Sequence, residues 1–141
     1  MGPAPLAGRT ATGAQYRGRV AIVGTLVAES LRDDAVLTGV PLQVGNIVRV
    51  AAGDPTVGQP VVWTLLEFEA PDDRFDVLVD QLARAVRPGP WYCDVRTEDE
   101  IAVVFAGRAL RYRRGDAEAR ARAVQFARSR GVPRGQVDWP D

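Results

Sequence analysis

Five apolar residues, Phe75, Leu78, Val79, Leu82 and Val86, recur at i, i+3, i+4, i+7 and i+11 in a stretch closed by proline on both sides. That spacing puts them on one stripe of an α-helix and demands a broad apolar surface for the stripe to cover. Pro71-Asp72-Asp73 opens the helix with a preset φ and two carboxylates at the positive end of the helix dipole. Arg87 followed by Pro88-Gly89-Pro90 ends it.

The flanking segments read as strands able to supply that surface. Val61 to Glu69 places Val62, Thr64, Leu66 and Phe68 on one face, while Val61, Trp63 and Leu65 keep the other apolar until Glu67 and Glu69 turn it polar. Beyond the helix, Trp91 to Arg96 alternates Trp91, Cys93 and Val95 against Tyr92, Asp94 and Arg96. Thr97 to Glu100 turns the chain, and Ile101 to Phe105 answers as the partner strand. Gly107 bends it again before a further extended piece, Arg108 to Arg113. Gly115-Asp116 caps a second helix, with Ala117, Ala121, Val124 and Ala127 as its small-residue face and Phe126 beside them. Upstream, the β-branched run within Arg19 to Leu31 reads as a strand covered on both sides or nearly so, and Val44 to Val50 as a second. Gln136 to Trp139 is a candidate short edge strand.

From Val61 on, this order is that of a ferredoxin-like α+β domain, with two helices on one face of an antiparallel sheet and two extra N-terminal strands. Residues 18–141 would form that single domain. Residues 1–17, rich in Gly, Ala, Pro and Thr without any period, read as a disordered leader. The sheet face left open would carry Trp63 and Tyr92. Large exposed apolar patches are rare on monomers, so that face predicts a small-molecule ligand cleft or a homodimer.

Composition narrows the chemistry. All 18 positive side chains are arginines, and among 141 residues there is no lysine and no histidine. A Ser-His-Asp triad, an imidazole metal ligand and a Schiff-base lysine are therefore excluded. The single cysteine, Cys93, alternates with Trp91 and Val95 and is expected as a buried, inert thiol, so no zinc site and no metal site is predicted. The glycines match neither a dinucleotide fingerprint nor a phosphate loop, and no cofactor is expected. No apolar run approaches the roughly 20 residues needed to cross a bilayer, and the N-terminal stretch lacks the pattern of a signal peptide. A cytoplasmic protein without a membrane partner follows as the expectation.

Two constellations remain. Tyr92, Asp94 and Arg96 project from one strand face at roughly 7 Å intervals, so together with Trp63 they are candidates to bind a polar ligand. The plainer reading is a cross-strand salt bridge beside a half-exposed tyrosine. The second constellation is basic: from Arg108 onward nine arginines face four acids, a balance of +5 against −5 for the rest of a net-neutral chain. Arg108, Arg111, Arg114 and Arg120 are its anion-binding candidates. Alternation sets Arg111 and Arg113 opposite Leu110 and Tyr112, and with one aromatic in the strand the pattern argues against nucleic acid as a partner.

The runs Trp91-Tyr92-Cys93-Asp94-Val95-Arg96, Val103-Val104-Phe105-Ala106-Gly107-Arg108 and Tyr112-Arg113-Arg114-Gly115-Asp116 resemble a small family of uncharacterised bacterial proteins. The resemblance spans about residues 20 to 141; it implies a single bacterial domain and adds no catalytic residue. Three function classes fit these features. The leading one is a small ligand-binding or assembly module without classical catalytic machinery, acting as a homodimer. The others are a small-metabolite isomerase or hydratase using Tyr92, Asp94 and Arg96, and an anion or nucleic-acid binder using the arginine-rich C-terminal third.

Overall fold

The apolar stripe of the first helix is buried on a sheet, as its spacing requires. A computed structural model describes residues 21–137 and residue 139; the expected leader, residues 1–17, lies outside them. Six strands, β1 (Ala21–Val27), β2 (Gln43–Ala51), β3 (Val62–Pro71), β4 (Cys93–Arg96), β5 (Glu100–Phe105) and β6 (Arg108–Arg113), and two helices, α1 (Phe75–Ala85) and α2 (Ala117–Ser129), make up the order β1-β2-β3-α1-β4-β5-β6-α2. The fold is α+β, with all six strands in one sheet of order β2-β3-β1-β4-β5-β6 and every pairing antiparallel.

This order departs from the ferredoxin-like arrangement, which would pair β3 with β5. β1 takes that place: it lies between β3 and β4, with Gly24 opposite Phe68 on one side and Val95 on the other. A strand apolar on both faces suits the middle of a sheet. β3 and β4 therefore run parallel to each other, split by β1, with α1 as their crossover. β4, β5 and β6 pair locally through tight turns. In the β5–β6 turn Gly107 has φ +76°, a left-handed conformation that costs a side-chain-bearing residue strain. Its amide donates to the Ala83 carbonyl at 2.8 Å, which fastens the hairpin to α1.

The two helices lie on opposite faces of the sheet rather than on one. Phe75, Leu78, Val79 and Leu82 of α1 share a core with Ile22, Phe68, Val95, Ala102 and Val104. Ala123 and Ala127 of α2 share another with Ile101, Val103, Phe105 and Tyr112. Successive side chains of a strand point to opposite faces, so β5 contributes its even residues to one core and its odd residues to the other. That is why all five residues from Ile101 to Phe105 are buried.

Asp116 caps α2, its carboxylate accepting the Ala119 amide at 3.0 Å. The inward face of this helix is rotated from the expected one: Ala117 and Ala121 are exposed, while Ala123 and Ala127 are buried and Ala119, Val124 and Phe126 pack beside them. The candidate edge strand Gln136 to Trp139 lies partly outside the described residues; of its described members, Gln136 closes a 3-10 turn, Arg134–Gln136, and Val137 and Trp139 are not in a strand. The Gln136 side-chain amide donates to the Asp54 carbonyl at 2.6 Å and to Gln59 Oε1 at 3.0 Å. These contacts fasten the β2–β3 connection to the end of the chain. Among the described residues, no helix is long and apolar enough to cross a membrane.

Candidate functional site

The strand register decides which of the candidate side chains meet. Asp94 and Arg96 are two apart on β4 and face the same side, where Arg96 Nη1 donates to Asp94 Oδ2 at 2.9 Å. Their side chains are only 12% and 19% exposed, so the pair is largely withdrawn from water. Tyr92 precedes the strand: its hydroxyl donates to the Gln136 carbonyl, and its ring packs on Phe105 and on Trp139, edge-on at 5.0 Å. Trp63 goes elsewhere. It packs on Trp91, with ring centroids 5.2 Å apart, against the α1-side core, and its indole N–H donates to the Pro60 carbonyl at 2.8 Å. The structure thus brings Asp94 and Arg96 together and sets Tyr92 and Trp63 into two different hydrophobic clusters.

Two carboxylates on the same sheet face were not singled out in the sequence. Glu67 and Glu69 of β3 are buried, and Glu67 stands across β1 from Asp94, each of the two opposite Thr25. At the usual strand spacing their backbones are about 10 Å apart. The side-chain amide of Asn46 donates to Glu67 Oε1 at 3.0 Å. The signal available for this row was the change from apolar to Glu in every second residue at the end of an otherwise apolar strand.

The four candidate arginines do not converge. Arg111 faces α1, where it grips Glu100 through two nitrogens, at 2.5 and 3.0 Å, and Asp76 at 2.8 Å, with its guanidinium over the Phe75 ring. The hydrogen bonds to Glu100, then that to Asp76, raise its pKa further above the ordinary arginine value. Arg108 is on the other face, 4.7 Å from the Phe126 ring centroid, and Arg130 approaches the same ring at the same distance. Arg114 donates twice to the Thr97 carbonyl, and Arg120 once to the Trp139 carbonyl. Each is engaged in holding a turn, a helix or the chain end.

A cleft of about 370 Å³ beside Arg111 is lined by Asp72, Asp73, Asp76, Asp99 and Glu100. Its character is acidic, the reverse of an anion site. Among the described residues no group of three or more His, Cys, Asp or Glu is arranged to hold a metal ion. Cys93 is buried, and that burial, with the Asp94 charge next to it, pushes its thiol pKa far up, which removes it as a nucleophile at neutral pH.

The sheet edges differ sharply. β6 carries Arg108, Arg111 and Arg113, charges of the kind that discourage further pairing. β2, the opposite edge, has Arg49 as the one charge in nine residues and exposes Val44 (45%), Ile47 (68%) and Val48 (38%). The Ala52 amide donates to the Val61 carbonyl at 2.8 Å. Continuing that register, Val48 and Val50 turn their backbone groups toward β3, whereas Ile47, Arg49 and Ala51 turn theirs outward. β2 is therefore an apolar edge with outward-facing donors and acceptors. Compared with protein-family models, with curated proteins and with solved structures, the chain matches none.

Proposed function

We propose that this chain is a non-catalytic assembly module that works by adding a partner's strand to β2. The observation that carries the reading is the β2 edge, unpaired on its outer side among the described residues, with Val44, Ile47 and Val48 exposed and a single charge along its length. Strand addition draws its affinity from main-chain hydrogen bonds and its selectivity from alternate side chains, and β2 offers both. The groups that acid-base chemistry would need support the same conclusion by their engagement. Asp94 is paired to Arg96, the Tyr92 hydroxyl to a main-chain carbonyl, and Arg111 to two carboxylates.

A strand peptide tests the reading. Titrating the nonapeptide of residues 43–51 into dilute protein should slow hydrogen exchange at the outward amides of Ile47, Arg49 and Ala51. Ile47→Pro should abolish the effect while leaving the fold intact, because proline is tolerated on an edge strand where the lost N–H faced solvent. Unchanged exchange along β2 at saturating peptide would overturn the proposal.

A further inference from the structure

We infer that the strand β2 receives is the β2 of a second copy of this chain, paired antiparallel about a two-fold axis through Ile47. The inference rests on reading β2 as a docking edge and names its occupant. Among the described residues, six of the eight large hydrophobic residues that remain exposed, Val44, Ile47, Val48, Val57, Val61 and Val62, lie on β2, on the connection to β3 or at the first position of β3. Scattered single apolar residues are ordinary on a surface, but a concentration along one edge is the mark of an interface. At the usual rise, nine residues present an edge of about 30 Å.

Charge selects the partner. Pairing β2 with the β6 edge of another molecule would bring Arg49 to a strand bearing Arg108, Arg111 and Arg113, and such head-to-tail pairing would leave new edges open at both ends. Pairing β2 with itself uses up both apolar edges and closes.

Register selects the axis. A two-fold perpendicular to the sheet must pass through one residue, so that paired side chains share a face. Through Arg49 it would set guanidinium against guanidinium. Through Ile47 it sets isoleucine against isoleucine, and Arg49 falls opposite Gly45, at the bulge between Val44 and Asn46, with no charge facing it. Ile47 is also one of the residues whose backbone groups turn outward, so the two copies would exchange both main-chain hydrogen bonds at the axis. The result is one continuous sheet across both protomers.

Sedimentation across the micromolar range decides the matter. The wild-type chain should sediment with the mass of two chains. Ile47→Lys, which sets two ammonium groups against each other, should weaken the dimer about 100-fold, and Ile47→Pro should also yield single chains, both with an unchanged circular dichroism spectrum. A wild-type mass of one chain throughout, or a two-chain mass that survives both substitutions, would overturn the inference. If the wild type is a single chain yet the 43–51 peptide still protects the β2 amides, only the identity of the occupant falls; if protection is absent as well, the docking reading falls with it.

Discussion

The ring of Phe68 occupies the space where a side chain at Gly24 would stand: a Cβ added to Gly24 would lie 2.5 Å from Phe68 Cζ and 2.7 Å from Val95 Cγ1. Gly24 is the gap through which β3 and β4 fill the α1-side core from either side of β1. Gly24→Ala should therefore cost about 2 kcal/mol through forced displacement of a packed ring. The check is urea denaturation, where the midpoint should fall with the slope unchanged. An unaltered midpoint would mean that the core yields at this point.

Glu29 clamps the end of β1 to β3, its carboxylate accepting the Thr64 amide at 2.7 Å and the Thr64 hydroxyl at 2.8 Å. Burial alone would raise its pKa, but the Thr64 hydrogen bonds, its own backbone amide and the Arg49 charge bring it below the ordinary carboxylate value. A depressed folded-state pKa gives stability that is present above the unfolded pKa and is lost as pH falls through the folded one. Glu29→Gln should thus lower stability by about 1 kcal/mol at neutral pH. The difference from wild type should shrink as pH falls through the folded-state pKa, which lies below the ordinary carboxylate value, because the wild-type carboxyl then also becomes protonated. A gap that is constant from neutral to acid pH would assign the effect to packing.

Asp94 and Arg96 stabilise the middle of the sheet more by mutual dependence than by net attraction. Removing one partner leaves the other charge largely dehydrated, so Asp94→Ala and Arg96→Ala should each cost about 2 kcal/mol. The double variant should recover about 1 kcal/mol of the summed loss. Strict additivity in thermal or chemical denaturation would show that the 2.9 Å contact carries no coupling.

Cys93 should resist alkylation by iodoacetamide in the native protein at neutral pH and react at once on unfolding. Burial, with Asp94 adjacent, holds it as the unreactive thiol. Labelling followed by mass spectrometry at increasing urea should trace the global transition. Labelling well before that transition would reveal a local opening at β4.

Elements were legible in the sequence where a period is strong and local. All five residues of the Phe75 stripe are buried, and Arg108–Arg113 is a strand with the bounds its alternation implied. Sheet order was not legible, because the position of β1 is decided by pairings with β3 and β4 that are remote in sequence, and a doubly apolar strand suits several places equally. The α2 face was misplaced for a different reason: alanines at 117, 119, 121, 123 and 127 weaken any contrast between sides. Of the candidate site, the shared face of Asp94 and Arg96 followed from strand alternation, but their pairing with each other along one strand, rather than with a neighbouring strand, did not. The separation of Trp63 from Tyr92 did not, since it depends on which core each end of the sheet faces. The β2 edge could not be recognised until the order of strands was known, although its single charge was visible from the start.

The placement of α1 and α2 on opposite sides of the sheet has a consequence for how the molecule comes apart. β5 is the wall common to both cores, with Ala102 and Val104 on one side and Ile101, Val103 and Phe105 on the other. Neither helix can leave without exposing a flank of the same strand, so the two halves are bound into a single cooperative transition. The amides of β5 should accordingly be the last in the chain to exchange.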